Sequence, residues 1–202
     1  KDRVFVASDD GHLYALALAD GKVLWKHRGG PGAQQVLGNE RMISHWPARG
    51  GPVVADDKVY YSAGIWPSDG VFLHALDAAT GAPVWQNSES GGLFMAQPHG
   101  GAEAVSGVAP QGYLLATDTS LIVPTGRAVP AVFERGDGKL RYYHLQKNQP
   151  RGGSRVLLID AGKSENHPWV HIPVGYLFAI GNPRLDWGFK TAPVPVSYTH
   201  LA

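Results

Sequence analysis

One strand-turn-strand unit recurs along the first 150 residues, and this repeat limits the folds open to the chain more than any other feature. Its clearest copy reads FLHALDAATGAPVW, from Phe72 to Trp85. The unit is marked by a small residue, a turn glycine and an aromatic residue. In chain order these markers are Ala15, Gly21 and Trp25, then Ala75, Gly81 and Trp85, then Gly138 and Tyr142.

The turn inside each copy has a chemical basis. The Asp77 carboxylate can accept hydrogen bonds from backbone N–H groups two or three residues further on, and Gly81 supplies the positive φ that such a turn often needs. The first copy has Ala17 in place of this aspartate, and the third copy has Glu134. We therefore expect three similar turns, with weaker turn chemistry in the first and third.

Each copy follows a β-rich run, at residues 4–7, 59–63 and 121–123. Strand-built units that repeat every 57 to 60 residues are typical of propeller blades. The sequence therefore predicts an all-β fold over residues 1–152, an incomplete β-propeller of about two and a half to three blades of antiparallel strands. Such an array cannot close into a ring, so its open edge strands would seek partners or aggregate.

The segment Ala-Leu-Asp-x-x-Thr-Gly-x-x-x-Trp at 75–85 resembles the tryptophan-docking motif of the pyrroloquinoline-quinone-like, or quinoprotein-type, β-propeller repeat. In that family the small Ala and Gly leave room for a Trp from the next blade to stack on the backbone. The resemblance implies structural docking roles for Ala15, Gly21, Trp25, Ala75, Asp77, Gly81, Trp85, Gly138 and Tyr142. It does not fix an activity, because enzymes, assembly scaffolds and binding proteins share the repeat. It favours a periplasmic or other extracytoplasmic location.

Two long connections separate the copies. Residues 29–52 carry Arg41, Trp46 and Arg49, which form either a rim that contacts a ligand or a blade-to-blade connection with structural ion pairs. Residues 86–111 carry His99, either a ligand or base or an ordinary loop histidine. Asp56 and Asp57 are read as a hairpin turn in preference to a calcium site, since calcium needs six or more oxygen ligands.

Residues 153–195 do not continue the repeat, and we expect a short α/β-like or irregular fragment to follow the incomplete propeller. The apolar run 155–162 predicts a buried parallel strand. With the segments that follow, it resembles an early part of the glucose-methanol-choline (GMC) flavin oxidoreductases over residues 155–193. Those segments are NHPWVHIPVGY at 166–176 and GNPRLDWGFKT at 181–191.

By that resemblance Asp160 is the acid that accepts hydrogen bonds from the FAD ribose. The glycine-rich turn that should lie about 20 residues earlier is missing, so a working flavin site is not expected. His167 and His171 are four residues apart, but Pro168 and Pro173 oppose the helix that would align them on a metal. Residues 196–202 fit neither family and are interpreted as a non-native tail.

Composition and charge limit the functions that the sequence supports. The net charge is +1, which gives no argument for nucleic acid or an anionic membrane surface. The sequence has no apolar run of about 18 residues that would span a membrane. No signal peptide is visible at Lys1. The absence of cysteine excludes disulfides and thiol catalysis.

The sequence therefore predicts a binding or scaffold module with no complete active site, no catalytic residues and no metal. No cofactor is expected in this fragment; PQQ or FAD belongs to the parent proteins that the two resemblances imply. The partners are the remaining propeller blades or proteins that pair with open edge strands. The alternative is a fragment of an alcohol-oxidising oxidoreductase, PQQ-dependent or, from the tail, FAD-dependent. Natural fusion and assembly chimera both remain open for the junction at 150–155.

Overall fold

Antiparallel sheets account for the described structure of the chain. The computed structural model describes residues 2–38, 40–97, 101–125, 130–143 and 145, and the backbone of 157–159, 169–172 and 176–179. The chain divides into two compact units, residues 1–154 and 155–202. In chain order the strands of the first unit are β1 (Arg3–Ala7), β2 (His12–Ala17), β3 (Val23–Arg28), β4 (Gln35–Gly38), β5 (Arg41–Ser44), β6 (Val53–Ala55), β7 (Lys58–Ala63), β8 (Phe72–Asp77), β9 (Pro83–Asn87), β10 (Phe94–Ala96), β11 (Glu103–Val105), β12 (Leu115–Ala116), β13 (Ser120–Val123), β14 (Ala131–Glu134) and β15 (Leu140–Tyr142).

Three of the sheets follow the sequence repeat. Sheet 1 has the order β1-β2-β3, sheet 2 the order β6-β7-β8-β9 and sheet 3 the order β12-β13-β14-β15. Two further hairpins, β4-β5 and β10-β11, lie in the connections between these sheets. A single 3-10 turn, Pro67–Asp69, is the only helical element in the part of the chain that the structure describes. The predicted incomplete propeller is confirmed.

The three sheets repeat their turn in detail. Gly21, Gly81 and Gly138 have φ of 72°, 75° and 74°. The N–H of each donates to the carbonyl four residues earlier, over 2.8 to 2.9 Å. The same one-residue register shift follows in each return strand, next to the cross-strand pair that contains the aromatic marker. The repeat therefore survives as backbone geometry even where Ala17 or Glu134 replaces Asp77.

Sheet 2 is buried on both faces because its side chains alternate between two cores. Val59, Tyr61 and Ala63 of β7 pack toward sheet 1, in a cluster that includes Leu13 and half-buried Trp25. Tyr60, on the opposite face of β7, packs toward sheet 3 with a cluster that contains Leu121, Val123, Ala131 and Phe133. This alternation is the expected period of two along a strand.

A tryptophan ring of one sheet lies on the turn glycine of the next. A Cβ atom placed on Gly81 would lie 2.7 Å from the ring of Trp25, and one placed on Gly138 would collide with the ring of Trp85. The ring therefore comes from the preceding sheet in chain order, where the resemblance had it come from the next. In both places only a glycine leaves room for the ring.

The two contacts differ in how the indole N–H is treated. Trp85 Nε1 donates to the carbonyl of Arg135 over 3.0 Å. Trp25 Nε1 is buried and has no partner among the described residues. The equivalent carbonyl, that of Ala78, instead accepts from Arg3 Nη1 over 3.0 Å. The Arg3 guanidinium thus donates to the carbonyl that corresponds to the acceptor of Trp85 Nε1 in the next contact.

The second unit contains a three-stranded antiparallel sheet of β16 (Leu157–Ile159), β17 (Trp169–Ile172) and β18 (Tyr176–Ala179). The predicted parallel strand over 155–162 is therefore wrong in direction. A continuous apolar run indicates burial, and burial alone does not set the direction of a neighbouring strand. In the described part of the chain no helix has the length and apolar character needed to cross a membrane.

Replacing Gly81 by Ala tests the contact with Trp25, with Gly21→Ala as the matched control. Gly21 has nearly the same φ, but a Cβ atom there has nothing within 4 Å. Gly21→Ala should lower the free energy of unfolding by about 1–2 kcal/mol through backbone strain alone. Gly81→Ala should lower the free energy of unfolding by about 1–3 kcal/mol more, because the Trp25 ring must move. Urea unfolding measures both, and equal losses would contradict the packing of Trp25 on Gly81.

Candidate functional site

The connections of the first unit gather at one end of its sheets. In an antiparallel sheet successive connections alternate between the two ends. The loops β1–β2 and β7–β8 therefore share an end with the connections that lead to the next sheet. We define the connection face as residues 8–11, 29–52, 64–71 and 88–114, as far as the structure describes them. The repeated glycine turns lie at the opposite end.

Backbone hydrogen bonds hold the segments of the connection face together. The N–H groups of Gly29, Ser44 and Ala48 donate to carbonyls of the β1–β2 loop over 2.8 to 3.0 Å. The N–H of Gly64 donates to the carbonyl of Pro47 over 3.1 Å. Leu114 N–H donates to the carbonyl of Gly51 over 3.1 Å. Four separate loops are thus locked into one platform.

Arg41 and Arg49 of the predicted ligand rim meet at one carboxylate. Arg41 Nη2 lies 2.8 Å from Asp9 Oδ2, and Arg49 Nε lies 3.1 Å from Asp9 Oδ1. Hydrogen bonds and charge from Arg41 and Arg49 hold the pKa of the Asp9 carboxyl below its usual value. Both guanidinium groups remain about half exposed, so each keeps N–H donors that face solvent.

Trp46, the third residue of the predicted rim, lies beneath this surface. Its side chain is buried, and its Nε1 donates to the carbonyl of Asp69 over 2.6 Å. Its ring lies edge-on to Phe72, with ring centroids 6.3 Å apart. A Cβ atom on Gly30 would lie 2.7 Å from the Trp46 side chain. Trp46 therefore ties the connection 29–52 to the β7–β8 loop.

The residues given docking roles lie at the opposite end and in the sheets. Ala15 and Ala75 are fully buried, and each pairs across its sheet with the tryptophan of its own copy. Asp77 Oδ1 accepts from the N–H groups of Ala79 and Thr80 and from the Thr80 hydroxyl, over 2.7 to 3.0 Å. Tyr142 stands opposite Val132, the position equivalent to Ala75.

A cluster of buried His74, buried Tyr61 and partly buried His27 joins sheets 1 and 2. The Tyr61 hydroxyl lies 2.6 Å from His27 Nδ1, and the Tyr61 ring stacks on His74 with centroids 4.9 Å apart. His74 Nε2 donates to the carbonyl of Gly29 over 2.8 Å. Burial lowers the pKa of His74 to about 4, lowers that of His27 and raises that of Tyr61.

Sequence reasoning missed three features of this region. Asp9 lies in a short turn and carried no visible link to the distant arginines. His27 and Trp25 are two residues apart on β3, and this spacing could have indicated that both side chains face sheet 2. The connections 29–52 and 88–114 contain hairpins, whose strands of three or four residues are too short for a clear period of two. Asp160 and His99 lie outside the described residues.

Comparisons with known proteins agree with this architecture. The family model described as outer membrane protein assembly factor BamB matches residues 1–182. The quinohemoprotein alcohol dehydrogenase of Comamonas testosteroni superposes with a TM-score of 0.57 at 19% identity, over 90% of this chain and 32% of that one. A quinohemoprotein alcohol dehydrogenase of Pseudomonas putida HK5 gives 0.55 at 16% identity, over 90% and 31%. At these identities the likeness shows the fold alone.

A short match comes from one curated protein. Alcohol dehydrogenase (acceptor) of Pseudomonas putida is 38% identical over 39 residues, which make up 19% of this chain and 7% of that protein. The chain thus spans about a third of the two solved dehydrogenases and a small part of the curated one.

Buried His74 should make the free energy of unfolding fall in acid. With a folded pKa below that of the unfolded chain, His74 binds its proton more readily when unfolded. Stability is then complete above about pH 6.5 and is lost as pH falls toward 4, on the order of 3 kcal/mol for this group. His74→Gln keeps a donor for the Gly29 carbonyl but does not titrate, so its urea midpoint should change less between pH 7 and pH 4.5.

Tyr61→Phe is the matched control for that measurement. It removes the hydrogen bond to His27 and leaves His74 in place. It should therefore lower the free energy of unfolding at every pH and leave the further loss of stability in acid unchanged. A His74→Gln variant that loses stability in acid as steeply as the parent would contradict the buried, neutral state of His74.

Proposed function

The chain belongs to the family described as outer membrane protein assembly factor BamB, and from that premise we propose that it is a binding module without chemistry of its own. The observation that carries this proposal is the connection face, where four loops from two neighbouring sheets are fixed by backbone hydrogen bonds. Loops held by a rigid β scaffold are a common way to present a binding surface. The quinoprotein-like propeller supplies that scaffold.

In this proposal Arg41 and Arg49 form the polar part of the binding rim. Asp9 fixes their orientation, since both guanidinium groups contact its carboxylate. Trp46 supports the rim from below through its hydrogen bond to Asp69. The rim would therefore be preorganised, which lowers the entropy cost of binding.

We further propose that the Trp25 and Trp85 contacts are the tryptophan docking of neighbouring blades. The remaining blades of a longer parent would then add to the first unit by the same contact, and partner proteins would use its open edge strands. An extracytoplasmic location accompanies this proposal, since it rests on the same propeller resemblance.

The described residues supply no calcium site for quinone-dependent chemistry. Calcium takes six to eight oxygen ligands, and no group of three or more His, Asp or Glu among the described residues could hold a metal ion. Two aspartates of the connection face are already engaged, Asp9 by two arginines and Asp69 by His45 over 3.4 Å. No catalytic step is assigned to them.

The second candidate function concerns residues 155–193, which we propose derive from a GMC-type oxidoreductase and hold no working flavin site. The short match to alcohol dehydrogenase (acceptor), over 39 residues of the chain, supports an oxidoreductase origin for part of the chain. The family match that extends to residue 182 argues for continuity with the propeller instead. Sequencing the source DNA across codons 147–155 would distinguish a natural junction from an assembly chimera.

A dye-linked oxidation assay tests the proposed absence of catalysis. The purified chain is incubated with pyrroloquinoline quinone and Ca²⁺, and primary alcohols are added with an artificial electron acceptor. We expect no turnover above a protein-free blank and a colourless preparation without bound flavin. Sustained alcohol oxidation would contradict the binding-module proposal, and stoichiometric flavin absorbance would contradict the proposal for residues 155–193.

A further inference from the structure

Each connection between successive sheets carries a hairpin at the same place. Hairpin 1 (β4-β5) begins at Gln35, seven residues after sheet 1 ends at Arg28. Hairpin 2 (β10-β11) begins at Phe94, seven residues after β9 ends at Asn87. Both belong to the connection face. The hairpin is therefore part of the repeat, together with the sheets.

Each hairpin turns one apolar cross-strand pair outward. In hairpin 1, Leu37 pairs with Met42, while Ile43 on the other face is buried. In hairpin 2, Phe94 pairs with Val105, while Met95 on the other face is partly buried. Leu37 is 78% exposed and Phe94 is 68% exposed, the highest values among large apolar side chains in the described part of the chain.

The rest of the connection face adds to this apolar surface. Trp66 and Tyr113 are 64% and 67% exposed and lie in the β7–β8 loop and just before β12. The opposite end also has exposed apolar side chains, and these are less exposed, from 46% to 62%: Leu18, Val23, Leu24, Val54 and Val84. The four most exposed large apolar side chains of the described residues thus lie on the connection face, and a cluster of this kind marks an interaction site.

The strands of the two hairpins also have open edges. Among the described strands, β4 and β5 pair only with each other, and so do β10 and β11. A two-stranded hairpin is marginally stable by itself, and an added strand satisfies its unpaired backbone groups. An extended segment is therefore the shape of partner that these hairpins fit.

Charge gives the chemistry of that segment. Glu103 shares the outward face of hairpin 2 with Phe94 and Val105. Glu40 lies in the turn of hairpin 1 and Glu89 precedes hairpin 2; all three glutamates are exposed and form no ion pair with any residue that the structure describes. The cations of this face, Arg41 and Arg49, are both held by Asp9. Basic side chains would thus find free carboxylates here.

We propose that the outward faces of hairpins 1 and 2 bind an extended segment of a partner protein that carries apolar and basic side chains. This inference rests on the proposed binding function and names the chemistry of its partner. An anionic lipid surface is a poorer occupant, because the unpaired carboxylates would face its headgroups. A second copy is also poorer, because it would bring the same acidic face.

Fluorescence anisotropy with labelled peptides tests the inference on the full 202-residue chain. The probe is a peptide of about ten residues, long enough to span a strand, made of Phe, Val and Lys. Its counterpart has Glu at every Lys position. We expect the Lys peptide to bind and the Glu peptide to bind at least about tenfold more weakly, a difference of about 1.4 kcal/mol.

Variants place the binding on the hairpins. Phe94→Ser with Leu37→Ser should weaken binding of the Lys peptide about tenfold or more. Leu18→Ser removes an exposed apolar side chain from the opposite end and should leave binding unchanged. Glu103→Lys changes only a surface charge. It should reduce the ratio between the affinities for the Lys peptide and the Glu peptide. Circular dichroism melts confirm that each variant is folded.

The outcomes separate this inference from the proposed function. Equal affinity for both peptides, binding only to phosphatidylglycerol vesicles, self-association alone or no binding would each overturn the inference. Binding that is lost in Arg41→Gln with Arg49→Gln but kept in Phe94→Ser would overturn it and leave a binding module that uses the rim. Turnover in the quinone assay would contradict the proposed function, independently of the peptide-binding results.

Discussion

An indole ring packed on a glycine backbone joins each sheet of the first unit to the next. Trp25 lies on Gly81 and Trp85 lies on Gly138. An aromatic side chain buries more apolar area than any other type, and a flat ring can reach the backbone only where no Cβ atom intervenes. The same glycines must also adopt positive φ to close their turns. One residue type therefore satisfies two demands, and this makes the repeat hard to change.

This contact at the turn end has consequences at the other end. Sheets held together at their turns by Trp25 and Trp85 present their connections side by side, where backbone hydrogen bonds can lock them. The two ends then differ in chemistry. Polar turns such as 77–81 cap one end, whereas the connection face combines fixed loops, the Asp9 ion pairs and exposed apolar hairpins. The structure thus separates the part that assembles blades from the part that can bind.

The repeat and its fold could be predicted because they depend on local patterns. Alternation, the turn glycine and the aromatic marker are all visible within about 15 residues, and each keeps its place in the structure. The partners of Arg41 and Arg49 could not be predicted in this way. Asp9 lies more than 30 residues away in sequence, and the packing of the connection 29–52 against the β1–β2 loop brings it to them.

Pattern reasoning also failed where two structures share one signal. The apolar run at 155–162 fits a buried strand in either direction, and the structure pairs β16 antiparallel. Trp46 showed a similar ambiguity. A tryptophan in this long connection fits either a ligand rim or a structural blade-to-blade connection, and its ring packs against Phe72 and Gly30 while its Nε1 donates to the Asp69 carbonyl. In both places the contacts are tertiary, so the sequence pattern could not show them.

Proton NMR of the folded chain tests the indole–glycine contact most directly. The account predicts nuclear Overhauser effects from the ring protons of Trp25 to the Hα protons of Gly81, and from those of Trp85 to Gly138, with both glycines shifted upfield by the rings. Gly21, which has nothing within 4 Å of its Cβ position, should show neither effect. Equivalent spectra for all three glycines, without ring contacts, would contradict the account.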